Sequence, residues 1–172
     1  MRENMGGPAN RSVVAVAYDG LCTFEFGVAT ELFGLARPEL NVDWYDFAVV
    51  AADAGPLRAA GGLTLHAPHA LDTIAQAGTI VLPGWRDINE PPPAALLDAI
   101  RQGHADGARV MSICSGVFIL AACGLLDGKA ATTHWRYTQA LQQRFPLVDV
   151  RPDVLYVDNG SVLTSADRKS VV

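Results

Sequence analysis

Three short apolar runs, each closed by a turn signal, restrict this chain to one class of fold. Val13-Val14-Ala15-Val16-Ala17 stops at Tyr18-Asp19-Gly20, Phe47 to Ala51 is a second run, and Thr79-Ile80-Val81-Leu82 stops at Pro83-Gly84. Runs without polar alternation mark strands buried on both faces, as in a parallel sheet. Arg109 to Ile113 reads as the next strand. The stretches between them carry helical spacing. Phe24, Val28, Leu32 and Leu35 define one helix, with Thr23 as its cap and Pro38 just past its end. Pro91-Pro92-Pro93 opens another from about Ala94 to Ala105. Val117 to Cys123 is a strongly apolar helix, and His134 to Arg144 an amphipathic one closed by Pro146. Gly61-Gly62 with Thr64 and Leu65 suggests a short hairpin. Asp158-Asn159-Gly160-Ser161, between Val154–Val157 and Val162–Thr164, suggests another. Strands that alternate with helices imply an α/β layered fold with a mostly parallel sheet.

The 172 residues suit a single domain. Half are apolar and 18% charged, which excludes a disordered chain. A chain of this size buries roughly 70% of its unfolded surface and needs no staple. The three cysteines form no disulfide framework. A net charge of −5 and no basic run give nothing for nucleic acid to hold. The greasiest stretch, Val117 to Leu126, is broken by Gly124 and falls short of the roughly 20 residues of a membrane span. No targeting segment is visible, so a soluble cytoplasmic protein is expected. Residues 1–11, with Gly-Gly-Pro, read as a loose tail and residues 12–166 as the domain.

The chemistry concentrates at Ser112-Ile113-Cys114-Ser115-Gly116-Val117. A strand runs directly into a helix with Cys114 at the corner. A nucleophile elbow needs small residues two before and two after the nucleophile, and Ser112 and Gly116 qualify. The following helix start favours a thiolate, and the Ser115 N–H would face an oxyanion. Cys114 is equally readable as a small buried hydrophobe. Cys123 reads as core; Cys22 follows the first strand and can lie near the site. Glu25, an acid among apolar residues near that strand's C-terminal end, suits either proton transfer at the Cys114 sulfur or pairing with a helix dipole. His134 is a candidate base or a satisfied core histidine. Gly84 would let backbone approach a ligand, and the Trp85 N–H is a candidate second oxyanion donor. Trp85, Trp135 and Phe24 form an aromatic wall in one reading and core edges in the other. His66 and His69 lack companion ligands. No metal and no organic cofactor is expected.

In order and spacing, Glu25, Leu82-Pro83-Gly84-Trp85, Ile113-Cys114-Ser115-Gly116, Leu120 to Gly128 and Thr132-Thr133-His134-Trp135 resemble the DJ-1/PfpI superfamily. The resemblance covers about Val13 to Ala166. It implies a three-layer sandwich of the flavodoxin-like, class I glutamine-amidotransferase-like kind. Cys-Ser-Gly-Val-Phe-x-Leu-Ala, Gly-Leu-Leu-Asp-Gly and Ala-Thr-Thr-His-Trp look most like the amino-terminal sensor domain of AraC-type regulators of the GlxA and FtrA kind. That likeness implies small-molecule binding, a homodimer, and DNA contact only through a following helix-turn-helix domain. Ser115 stands where PfpI-type proteases carry a histidine, so peptidase activity is not expected. The other reading is a cysteine enzyme resembling isocyanide hydratases, with Cys114 as nucleophile and Glu25 as proton carrier. A redox role for Cys114 is a third. Relatives continue past Ala166 into a long helix. Residues 167–172 have no apolar periodicity and back-translate to a common sequencing adapter. They are therefore expected to be artefactual, leaving the fold without its C-terminal helix and one sheet face partly bare.

Overall fold

The computed structural model describes residues 10–166. Most of the expected amino-terminal tail and all of 167–172 lie outside the described residues. Among the described residues, ten strands and four α-helices follow in chain order: β1 (Ser12–Ala17), α1 (Thr23–Ala29), β2 (Asp46–Ala51), β3 (Leu57–Arg58), β4 (Thr64–Leu65), β5 (Thr79–Pro83), α2 (Ala94–Ala105), β6 (Arg109–Ile113), α3 (Val117–Ala122), β7 (Ala130–Ala131), α4 (Thr138–Arg144), β8 (Asp149–Val150), β9 (Tyr156–Asp158) and β10 (Val162–Ser165). The main sheet has the order β2-β1-β5-β6-β10-β9. All its neighbours pair in parallel except β10 with β9, which are joined by the Asn159-Gly160 turn. β3 and β4 form the small hairpin around Gly61-Gly62.

β1 and β5 are buried along their length because strands flank both edges and helices cover both faces. In-register pairing puts Val13, Phe47 and Thr79 on one face and Val14, Ile80 and Val110 on the other. The segment after α1 lies over the first face. A Cβ on its Gly34 would stand 2.8 Å from the Phe47 ring. α2 lies over the second face, where a Cβ on Gly103 would meet Ile80 at 2.9 Å. α3 ends beside α2, where Arg101 donates to the Ala122 and Cys123 carbonyls and satisfies helix-end acceptors. The result is the expected three-layer, mostly parallel sandwich.

Four details depart from the sequence reading. β2 carries a buried-type sequence yet only Val50 is fully buried, because β2 is an edge strand. Thr23 is not the cap of α1. Cys22 holds that position without a side-chain cap, while Thr23 Oγ1 donates to the Ala60 carbonyl at 3.4 Å. The helix expected from His134 begins at Thr138, after a 3₁₀ turn over Trp135–Tyr137. The fourth concerns α1 and the π-helical turn Thr30–Gly34 that continues it. Their spaced apolar residues Phe24, Val28, Leu32 and Leu35 are exposed, and Phe26, Ala29 and Phe33 face the core instead. The segment has two apolar faces, and periodicity alone cannot say which one the sheet takes.

On the face bearing Val13, the far half of the sheet is thinly covered. Met111, Ile113, Leu163 and Ser165 alternate onto it and are only partly buried, and Tyr156 beside them is exposed. Among the described residues, no helix is long and apolar enough to cross a membrane.

The exit of β1 is clamped by charge. The Asp19 carboxylate accepts the Arg58 backbone N–H and Nε–H, both at 2.9 Å, which ties β1 to β3. Hydrogen bonding from Arg58 holds the Asp19 carboxyl well below the usual range. A carboxyl acidified by folding stabilises above its unfolded pKa, and that stability fades as pH falls through and below it. The stability gap between wild type and Asp19→Asn should therefore be widest at neutral pH and narrow progressively as pH falls below about 4. Urea midpoints across that range check this; a gap that does not change with pH refutes the clamp.

Candidate functional site

The crevice forms where the sheet's connections reverse. From β1 the chain passes to β2 on one side and later to β5 on the other. Loops leaving the C-terminal ends of neighbouring strands diverge at such a point and leave space for a ligand. A cavity of about 440 Å3 lies there. Residues 22–25 line it from the start of α1, Trp85 and Arg86 from the loop after β5, and Cys114 and Ser115 from the end of β6. His134, Arg136 and Tyr137 line it from the turn before α4.

Cys114 occupies the corner the sequence pointed to. Its φ is +55°, a left-handed conformation, and the chain turns at once through Cys114–Gly116 into α3. Such a conformation costs a residue with a Cβ on the order of 1–3 kcal/mol and persists only when neighbours enforce it. Thr133 Oγ1 donates to the Cys114 carbonyl at 2.7 Å, and Gly116 packs directly on the end of β5. Ser115 Oγ accepts the Trp85 N–H at 2.9 Å and donates to the Trp85 carbonyl at 3.1 Å. This pair of bonds locks the loop after β5 to the corner. It also commits the Trp85 N–H, which the sequence reading offered as a second oxyanion donor. An anion reaching that N–H must first displace the Ser115 hydroxyl.

Gly84 plays a different part from the one expected. Its φ is +77°, and a Cβ there would lie 2.8 Å from Cys22 Sγ and 3.0 Å from the Tyr18 hydroxyl. The space its missing side chain opens is filled by protein rather than ligand. Tyr18 is buried and donates to the Pro83 carbonyl at 2.8 Å. Burial pushes its phenol well above the ordinary range.

The aromatic wall forms only in part. Trp85 is 2% exposed, its indole N–H donates to the Glu90 carbonyl, and its ring packs at 4.9 Å from Tyr18. Phe24 reaches the cavity from its rim. Trp135 is 66% exposed and does not line the cavity, because the 3₁₀ turn rotates it outward. Tyr137, two residues on, lines the cavity instead. Glu25 is nine-tenths buried and lines the cavity with Cys114. His134 is also buried there, and its Nδ1 accepts the Arg136 N–H at 3.2 Å. That bond occupies the one lone pair of a neutral imidazole, so Nε2 presents a proton rather than a base.

The cavity's two arginines escaped the sequence reading. Each follows a motif tryptophan, in Gly84-Trp85-Arg86 and His134-Trp135-Arg136, which was the available signal. Arg86 is held by Asp53 at 2.6 Å and Glu90 at 2.7 Å, donates to the Asp19 carbonyl, and lies 4.5 Å over the Trp85 ring. Cys22 Sγ donates to the Trp85 carbonyl at 3.8 Å. Cys123 is buried away from the cavity, and burial pushes its thiol up to about 12. Among the described residues, no group of three or more His, Cys, Asp or Glu side chains is placed to hold a metal.

Known proteins are similar to this chain in sequence and in fold. A Streptomyces lividans protein described only by its position 5′ of cpoL is 34% identical over 135 residues, covering 78% of this chain and 94% of that one. The HTH-type transcriptional regulator CdhR of Pseudomonas aeruginosa is 30% identical over 86% of this chain, which spans 43% of CdhR. Isonitrile hydratase of Pseudomonas putida is 34% identical over 94 residues, 54% of this chain and 41% of the enzyme. The chain thus spans less than half of both characterised relatives. An AraC family transcriptional regulator from Pseudomonas putida has the same fold, with a TM-score of 0.75 at 20% identity over 91% of this chain and 83% of that one. Residues 11–172 match the DJ-1/PfpI family model. With the left-handed cysteine corner at the end of β6 and Glu25 beside it in the crevice at the reversal of the sheet, the chain belongs to the DJ-1/PfpI family.

Proposed function

We propose that this domain senses a small molecule for an AraC-type transcriptional regulator in the cytoplasm, with DNA contact made by a separate domain. The cavity around Cys114 carries this reading. It is lined mainly by side chains fixed through packing and hydrogen bonds, and it lies toward the small end of the range of ligand pockets. The similarity to regulators supports it, and the net charge of −5 leaves phosphate contact to another part of the protein. A panel of small metabolites screened by thermal shift tests the proposal. At saturating ligand, at 100 times Kd, a binder adds about 2.7 kcal/mol to stability. A panel without a single shift, together with turnover of an isonitrile, reverses the order of the two readings.

The second reading is a cysteine enzyme of the hydratase kind. The strained φ of Cys114 and the buried Glu25 beside the same cavity favour it. Water would add across an isonitrile to give an N-substituted formamide, with Cys114 forming and breaking a bond to the isonitrile carbon.

The exposed stripe of Phe24, Val28 and Leu32 on α1 and its continuation is the proposed homodimer face. Phe24 also lines the cavity, so a second copy on this face would sit near its mouth. Sedimentation should show a dimer for wild type and a monomer for Leu32→Asp. A wild-type monomer at tens of micromolar removes this assignment.

A further inference from the structure

We infer that the ligand of this cavity carries a carboxylate, and that Arg136 holds it. The inference rests on the sensor reading of the cavity and adds the chemical class of what it binds. The two arginines of the lining differ in what they already hold. Arg86 is neutralised twice over, by Asp53 and Glu90, and its remaining donors face the Asp19 carbonyl. Arg136 lines the same cavity, and no carboxylate among the described residues pairs with it. Its guanidinium lies over the face of Trp135, 5.7 Å from the ring centroid. The Trp135 indole, turned outward, is thus the platform that supports the guanidinium. The chain carries 13 basic residues against 18 acidic ones, so a cation left without an ion-pair partner is not a by-product of excess positive charge.

A guanidinium is a planar fork matched to a carboxylate, and bidentate pairing adds orientation as well as affinity. The rest of the lining suits a short organic body: Phe24, Trp85, Tyr137 and Ala60 offer apolar surface. Glu25, on a different element and unpaired with any arginine or lysine among the described residues, accepts a hydrogen-bond donor from the ligand's other end. The class that fits is a small carboxylic acid with a donor group away from the carboxylate, as in an amino or hydroxy acid.

Cys114 provides the reporter. Iodoacetate and iodoacetamide differ only in carboxylate against amide, and both alkylate a thiol in the same way. The sulfur forms a bond to the methylene carbon, iodide leaves, and the thiol proton goes to solvent. Peptide mass mapping follows the Cys114 peptide alone. With free thiols the neutral amide reacts faster. In the intact chain, iodoacetate is expected to alkylate Cys114 at least as fast as iodoacetamide, with a rate that saturates. Arg136→Gln should slow iodoacetate about tenfold and leave iodoacetamide within twofold, and Arg136→Lys should recover part of the loss. Arg136 is exposed, so neither substitution disturbs the core. If iodoacetamide labels Cys114 and Arg136→Gln does not change the ratio of the two rates, the carboxylate assignment falls and the cavity reading stands. If neither reagent labels Cys114 in the folded chain while both label it in urea, and no carboxylic acid of the thermal-shift panel raises the melting temperature, both readings fall together.

Discussion

Gly116→Ala is expected to destabilise the domain by about 3 kcal/mol or more, the top of the usual range for overpacking. At this size that corresponds to a melting temperature lowered by roughly 6–12 °C. A Cβ on Gly116 would stand 2.1 Å from the Leu82 carbonyl oxygen and 3.2 Å from the Gly84 nitrogen. Both are backbone atoms of a central strand and its exit, so no side chain can rotate away. Either the corner lifts off β5 or the end of β5 shifts. Each movement pulls on the paired Ser115–Trp85 bonds that hold the cavity wall. Gly27→Ala is the matched control. Gly27 lies in α1 with nothing within 4 Å of its would-be Cβ, so alanine there should stabilise by about 0.5–1 kcal/mol. Thermal melts of the two variants decide the matter. Gly116→Ala melting within 2 °C of wild type shows that the corner does not depend on this contact.

Cys114→Ala separates the two functional readings. Alanine keeps the Cβ, so the strain at φ +55° is the same in both proteins and the fold should survive. Only the sulfur is lost. For a sensor, the compound that shifts the wild-type melting temperature should still shift the variant, because Arg136, Glu25, Trp85 and Tyr137 remain in place. For an enzyme, formation of the formamide from an isonitrile should fall by about a thousandfold or more, as when a nucleophile is removed. The expected outcome is a retained thermal shift with no wild-type turnover to lose. Wild-type hydration of an isonitrile, abolished in Cys114→Ala, makes the domain an enzyme.

Much of this was legible in the chain itself. The uninterrupted apolar runs of β1 and β5 could be satisfied only by burial on two faces, so a parallel sheet followed from them. Proline and glycine punctuation placed α2 and the Asn159-Gly160 turn, because both act through local backbone geometry. Cys114 stood out for the same reason: a strand, a tight corner and a helix in succession leave room only for small neighbours. Local rules of this kind are written within a few residues and need no knowledge of the rest of the chain.

What the tertiary structure decided involves groups far apart in sequence. α1 has two apolar faces, and only the position of Phe47 and the rest of the sheet settled that Phe26, Ala29 and Phe33 turn inward. The Trp85 N–H looked available until Ser115, thirty residues later, was found accepting it. Gly84 looked like a place for a ligand until Cys22 and Tyr18 filled it. Arg86 and Arg136 are alike as residues, and Asp53 and Glu90 alone make one a structural ion pair and leave the other facing the cavity. A hydrogen bond or an ion pair between distant residues exists only once the fold has brought them within about 3 Å. The sequence alone therefore determined the fold class and the corner residue, and tertiary contact determined which groups around it are already spent and which remain open to a ligand.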